Sequence, residues 1–521
     1  MAEQIELHQP SASNQQVSQH HLAVDDPANP FNWSTTKKWS ATFIACYVTF
    51  IVGLNATALT AAVSHTNTTF HVSDTGFPNS VWPVTAWNTG AALAPMVILP
   101  IMEDYGTRPG YLITYLIFVC FVIPQAVAQN FFTFIVCRFF AGCCGGVLQD
   151  VVDGIIADVW AEATERSLPV SCYVFALLAG VSVGPVVGGA VVQRLDWRWI
   201  FYIQLIIYGS SAVMVLGMFR ETRAPVILAH RTSRDRKHTA GVGESAIVPN
   251  GPPHHLDWTF AKHFLKNNVI RPFSLLVTEP VVFFFTLLSA LSYGLLFIAT
   301  QSVPQVYGTS YAFTEPQTGL IQASIVVGEV LGFLACACIG GPYFARASTR
   351  SAKVAGGNPQ LPEVRLYLAV PSLLVGVTGG LFVYGWTSYA DLTYWAPTAG
   401  LLLIGFGSVV VMQAIMMYIT DSYTKYAASA SAAVCFGENI AAAYLPLASQ
   451  SMYTNLGLHW ASTLLAFFAL ALSCAPVVLV FKGRAIRERS VFMREAIYGP
   501  LMSAASREDA MPNILMAQGG A

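Results

Sequence analysis

Charge is what this chain has least of. Asp, Glu, Lys and Arg make up 11% of its 521 residues, against 54% hydrophobic, where a soluble domain carries about 25% charged residues. That scarcity excludes one very large soluble core, because the apolar runs are too long and too free of charge. The formal net charge of −1 says nothing about nucleic acid, and none is expected as a partner. Cysteine outside apolar runs is missing as well. All ten cysteines lie within such runs, so no structural disulfide is expected. Cys143/Cys144 and Cys336/Cys338 lack metal-ligand spacing and flanking His, and read as small side chains in packed helices.

Several motifs are absent. There is no HExxH, no GxSxG with a plausible partner set, no GxxxxGK[ST] and no His pair embedded in an apolar run. An integral-membrane enzyme and an ATP-driven pump are thereby disfavoured, and no catalytic residue, metal or cofactor is expected. The first 38 residues have no apolar core ahead of a cleavage site and carry Glu3, Glu6, Asp25 and Asp26. No cleaved signal peptide is expected, and the N-terminus is expected in the cytoplasm.

What is present is a series of apolar runs, each near the 20 or so residues that a helix needs to cross a bilayer. They fall near 41–62, 81–101, 110–128, 131–157, 168–192 and 198–219, then near 278–300, 317–340, 364–386, 391–419, 427–453 and 459–481. The expected fold is an all-α integral membrane protein with twelve transmembrane helices in two six-helix bundles. Its domains would be a tail over 1–38, bundles over 39–219 and 273–481, a polar linker over 220–272 and a tail over 482–521. The linker holds Arg231, Arg234, Arg236, Lys237, His254 and His255. Sequence repetition between the halves is weak, so the repeat is inferred from the span count. With the N-terminus inside, 24 of the 27 Lys and Arg fall on inner segments, only Arg194 and Arg198 fall outside, and Arg138 lies in a span. This bias places both termini in the cytoplasm. The sequon at Asn67 then lies in the first outer loop as a glycosylation acceptor, while Asn32 lies inside and stays bare.

Ionisable groups inside spans are costly unless paired, hydrated or neutralised. Arg138, Asp150 and Asp153 lie on the fourth span, Glu329 on the eighth and Glu438 on the eleventh; each is a candidate for proton coupling or for lining a cavity. Arg138 and Asp153 are about 22 Å apart along a helix axis, so Arg138 needs a counter-ion on another helix, in water or on a substrate. Asp150 and Asp153, three residues apart, are neighbours on one surface. Two such carboxylates in a poorly solvated place resist double ionisation, which suits a pair that exchanges a proton. The plainer alternatives are hydration of both from the cytoplasm and, for Glu329 and Glu438, a structural hydrogen bond to a neighbouring helix. Four acids against one base would favour cationic or proton-donating solutes.

Gly180, Gly184 and Gly188 recur every fourth residue on the fifth span, beside Pro185 and Gly189. Such a stripe lets another helix approach closely, and the proline removes a backbone hydrogen bond and favours a bend. Plain packing and a flexing helix that shapes a cavity are both open. Pro83, Pro95 and Pro100 favour bends in the second span.

Taken in order, these residues resemble the major facilitator superfamily, and within it the fungal-type twelve-span drug:proton antiporters. The segment from Asp26 to Ser34 with Lys37-Lys38-Trp39 resembles the family's pre-membrane signature. Glu103-Asp104-Tyr105-Gly106-Thr107-Arg108-Pro109 resembles its loop after the second span. Arg138-Phe139-Phe140-Ala141-Gly142 is similar to its buried-arginine motif, and Gly184-Pro185-Val186-Val187-Gly188-Gly189 to its antiporter motif, followed by Trp197-Arg198-Trp199-Ile200-Phe201. Arg271-Pro272-Phe273 with Glu279-Pro280, Pro362-Glu363 with Arg365-Leu366, and Asp421-Ser422-Tyr423 with Ala427-Ala428-Ser429 follow in the second half.

The resemblance implies a proton-driven exporter of drugs, toxic metabolites or organic cations; the plasma membrane is the default location, and a monomer is expected because six plus six helices can enclose a cavity. The resemblance also implies a cytoplasmic charge cluster of Glu103, Arg108, Asp158 and Arg166, a role for Arg138 in proton coupling, and a span-five motif of Gly184, Pro185, Gly188 and Gly189 that governs helix bending. Three residues depart from the pattern. Thr107 stands where the family usually has Arg, Asp153 where it has Gly, and Glu438 where it commonly has Arg. The last reverses a charge in or near the cavity and marks Glu438 as a specificity residue. A solute-binding sensor without transport is disfavoured by the short tail after 481; an importer or uniporter of the same fold is the remaining alternative.

Overall fold

The computed structural model describes residues 26–75, 77–239, 269–355 and 362–495. The start of the N-terminal tail, His254 and His255 in the linker, and the C-terminal tail beyond 495 lie outside them. No strand occurs among the described residues. Ten of their helices are long and apolar enough to cross a membrane, and a bent pair makes eleven. The twelfth long helix, Ala427–Leu456, has 30 residues, about 45 Å at the helical rise. It is less apolar because alanine, serine and Glu438 occupy much of its surface.

In chain order the spans are α1 (Thr35–Thr57, prolonged through Phe70), α2 (Trp82–Leu93 with Pro95–Tyr105), α3 (Thr107–Val127), α4 (Phe131–Val159), α5 (Ala163–Val192) and α6 (Trp199–Met218). The second set is α7 (Pro280–Tyr311), α8 (Glu315–Ala335), α9 (Pro362–Trp386), α10 (Trp395–Tyr423), α11 (Ala427–Leu456) and α12 (Leu458–Arg489). Lipid offers no partner to backbone N–H and C=O groups, so apolar runs of this length satisfy them internally as helices. The run from α1 onward is broken where sequence breaks it. Pro95 and Pro100 accompany a 42° bend in α2. Gly106 joins α2 to α3 at φ +112°, a conformation open to glycine and strained for other residues. Glu221, beyond α6, accepts the N–H groups of Thr107 at 3.0 Å and Arg108 at 2.9 Å, which caps the start of α3.

Within the first half α2 lies against α4 and α1 against α5; within the second, α7 lies against α11 and α8 against α10. Small residues make these approaches. A Cβ on Gly142 would collide with the Trp87 backbone, one on Gly146 with Ala91, and one on Gly90 with the Phe139 carbonyl. The α5 stripe faces inward in the same way: Gly180, Gly184 and Gly188 meet Phe50, Thr57 and Ala58 of the α1 segment. Two seams join the halves, α5 on α8 and α2 on α11. In the first, Gly319 lies against the Pro185 carbonyl and Gly189 against Pro316. In the second, Thr85 donates to the Ala443 carbonyl at 2.8 Å. The antiporter motif is therefore split by face, its glycines packing within one half and Pro185 with Gly189 meeting the other. All ten cysteines are free.

Candidate functional site

A cleft of about 240 Å³ opens between α2 and α4 of the first half and α10 and α11 of the second. Glu103, Asp150, Asp153, Asp158 and Arg223 line one wall, with Ser431, Cys435 and Phe436 opposite. It lies toward the face of the bundle that carries the chain termini. Asp150, on its wall, lies within electrostatic reach of Glu438 of α11 across the seam and of Asp153 on its own helix; Glu438 itself is buried behind the lining. Glu438 is 4% exposed and accepts a hydrogen bond from Ser289 of α7. Asp153 faces Arg166 of α5. Neither Asp150 nor Glu438 has a basic partner among the described residues. The expected pair on α4 is thus completed by a third carboxyl from the other half.

Two tyrosines that sequence reading did not single out close the cluster. Tyr173 of α5 and Tyr293 of α7 are 1% and 2% exposed, and both approach Asp150 and Glu438. Their signal in the sequence was weak, since tyrosines within apolar helices are commonplace; only the fold brings these two to one point.

The other candidates sit elsewhere. Glu329 does not line the cleft. It is completely buried in the α5–α8 seam and accepts a 2.6 Å hydrogen bond from Ser182, and its other oxygen has no partner. Arg138 is completely buried and has no counter-ion among the described residues. Its guanidinium donates to the carbonyls of Pro83 (3.2 Å), Asn55 (2.9 Å) and Ala56 (2.7 Å) and to Asn55 Oδ1 (3.1 Å). Asn55 is the hub of that network, since it also donates to Gln204 at 2.7 Å and accepts from Trp87 at 3.2 Å. A planar fork of five donors suits a ring of carbonyl oxygens. Asn67 lies within the short helix Val63–Phe70 at the opposite face and donates to Asp74 at 2.8 Å.

The charge cluster at the termini face has different membership from the expected one. Arg223, beyond α6, pairs with Glu103 at 2.7 Å and with Asp158 at 3.3 Å. Arg108, the expected base, is exposed and makes no ion pair among the described residues; its backbone N–H is what engages, through Glu221. Arg166 is also displaced from the cluster, turning toward Asp153 and Asp421. The second half carries acids at the corresponding places but pairs them with two arginines. Arg487 at the end of α12 pairs with Glu363 at 3.2 Å, and Arg365 pairs with Asp421, at the end of α10, at 3.2 Å. Arg365 also reaches the first half, donating to Ser167 Oγ at 2.6 Å and to the Ala163 carbonyl at 2.9 Å.

Residues 45–446 match the family described as Major Facilitator Superfamily. The MFS-type transporter paaT of Penicillium rubens is 34% identical over 475 residues, covering 90% of this chain and 83% of that protein. The efflux pump radE of Floropilus chiversii is 32% identical over 472 residues, covering 90% and 84%. Among solved structures, the proton:xylose symporter XylE superposes with a TM-score of 0.59 at 15% identity, over 86% of this chain and 97% of that one. The human organic anion transporter MFSD10 gives 0.54 at 16% identity, over 84% and 99%. At these identities the two structures speak for the fold alone.

Proposed function

The chain belongs to the Major Facilitator Superfamily and is a multi-pass membrane transporter; we propose that it exports small organic molecules by proton antiport with alternating access. The observation that carries this reading is the approach of Asp150, which lines a cleft between the halves, to buried Glu438 of the other half. A carboxylate without a base in a poorly solvated place is held neutral by a proton or paired with a cation from outside. Rocking the halves about the α5–α8 and α2–α11 seams changes the water access of both carboxyls together, which is what exchange of a proton against a solute requires. Export is the direction suggested by relatives such as the efflux pump radE.

In this reading the termini face is cytoplasmic and the plasma membrane is the site of action. The Glu103–Arg223–Asp158 and Glu363–Arg487 groups hold that face in one state of the cycle, and Arg365 bridges it to the other half. Asn67 lies outside as a glycan acceptor, and one chain suffices for transport. The test is efflux of fluorescent cations, neutral toxins and anions from cells expressing the chain, with and without a protonophore. Efflux that collapses with the protonophore and in Asp150→Asn and Glu438→Gln supports the proposal; efflux indifferent to the protonophore refutes it.

A further inference from the structure

We propose that a groove between α7 and α12 binds an anionic phospholipid, with one acyl chain lying between the helices and the phosphate held by Lys482 and Arg489.

The groove has a volume of about 390 Å³. The start of α7 supplies Pro280, Val281 and Phe284 to one wall, and α12 supplies a stripe that runs from Ala471 to Ile486. Every lining side chain is apolar apart from the Cys474 thiol, so the occupant of this stretch is hydrocarbon. Such a wall does not choose between lipids, because their chains are alike. Selection falls to the mouth.

Two bases stand there by helix geometry. Successive residues of an α-helix turn by about 100°. Measured from Lys482, the lining residues of α12 all lie within about 80°, and Arg489 lies about 20° away. Both bases therefore share the groove's own face, about 10 Å apart along the axis. Both are exposed, and neither makes an ion pair among the described residues. The charges around them are already taken. Arg484 pairs with Glu488 at 3.1 Å and Arg487 with Glu363 at 3.2 Å. Glu279, at the start of α7, is buried and accepts from Ser490 at 2.9 Å and Tyr423 at 3.0 Å. Positive charge is thus left over where a chain in the groove places its headgroup.

The depth of the mouth agrees. Phe481 of α12, Val491 just beyond it, and Val277 of the short helix Arg271–Thr278 that leads into α7 are all exposed. Apolar and basic side chains interleave in this way where hydrocarbon gives way to headgroups, with lysine laying its stem along the apolar part. In the orientation proposed above this is the cytoplasmic leaflet, which carries anionic lipid. A zwitterionic headgroup brings its own cation to the two bases. A second copy of the chain would bring four bases together on one face.

The experiment is native mass spectrometry of the full-length protein in detergent, titrated with dioleoylphosphatidylglycerol or dioleoylphosphatidylcholine. The two lipids share their chains and differ in headgroup. Phosphatidylglycerol is expected to bind first and more tightly, by about fivefold for each base that it meets. Lys482→Gln with Arg489→Gln should abolish the preference. Arg346→Gln with Arg350→Gln, an equal loss of charge at exposed positions beyond α8, should leave it intact. Cys474→Trp fills the groove without touching charge and should weaken phosphatidylglycerol binding several-fold. Because binding needs no gradient, its outcome is independent of whether the chain exports solute. Equal affinity for the two lipids, a preference that survives loss of both bases, binding indifferent to Cys474→Trp, or a dimer closed through this face in place of lipid would each overturn the inference.

Discussion

Ser182 of α5 donates a 2.6 Å hydrogen bond to Glu329 of α8 across the seam between the two halves. It is the bond made by a carboxyl that is otherwise wholly enclosed, with Gly328 and Gly332 on either side packed against α10. Glu329→Gln keeps an acceptor for Ser182 and brings no charge into the seam. The purified variant should therefore melt at or above the wild-type temperature. Ser182→Ala removes the bond and leaves a buried acceptor bare, at a cost of about 1–3 kcal/mol, and should melt lower. The opposite order in a detergent melting assay would contradict the seam described here.

Arg223, rather than Arg108, binds the carboxylates of the termini face. Arg223→Ala breaks two ion pairs on a group about three-quarters buried and should shift the conformational balance of that face by about 1–2 kcal/mol, roughly 5- to 30-fold in population. Arg108→Ala should change it little. Accessibility of a cysteine placed in the cleft, read by labelling rate, distinguishes the two: a large change in the first variant and a small one in the second is expected.

Arg138 is held by geometry as much as by charge. Arg138→Lys keeps the charge but cannot reach the carbonyls of Pro83, Asn55 and Ala56 together with Asn55 Oδ1. It is expected to reduce folded protein at the membrane nearly as far as Arg138→Ala. Detergent size-exclusion yield checks this, and full recovery by lysine would show that charge alone matters.

The glycines divide by what surrounds them. Gly142→Leu drives a side chain into the Trp87 backbone and should prevent assembly of α2 on α4. Gly209 on α6 has open space around its Cβ direction, so Gly209→Ala should be neutral or stabilising by up to about 1 kcal/mol. Expression and melting temperature of the pair test whether α2–α4 packing is as close as described.

Much of this fold was legible because lipid imposes its demands locally: apolar length marks the spans, and Pro95 and Pro100 mark the bend in α2. Membership of the charge clusters was not, since Arg223 is 65 residues beyond Asp158 and no local spacing joins them. The structure also reveals the internal repeat that sequence comparison of the halves left faint. Glu103, Asp158 and Arg223 correspond by position to Glu363, Asp421 and Arg487, at the second–third junction, the end of the fourth helix and the end of the sixth. Helix-end charges keep their places while the lipid-facing residues between them drift. Asp150 and Glu438 were each visible as costly charges within spans, but their meeting across the seam needed the packing of α4 against α11. Arg138 was read as needing a counter-ion, and here backbone carbonyls and Asn55 Oδ1 accept its hydrogen bonds instead.

The central claim is that Asp150 and Glu438 couple solute movement to protons. Its most direct test uses proteoliposomes with an acidic lumen and the best-exported probe of the efflux panel outside. Wild type should accumulate the probe above equilibrium, lose that accumulation when the pH gradient is dissipated, and show no response to the gradient in the Asp150→Asn, Glu438→Gln double variant. Accumulation that ignores the gradient in wild type, or that persists with it in the double variant, would contradict the account.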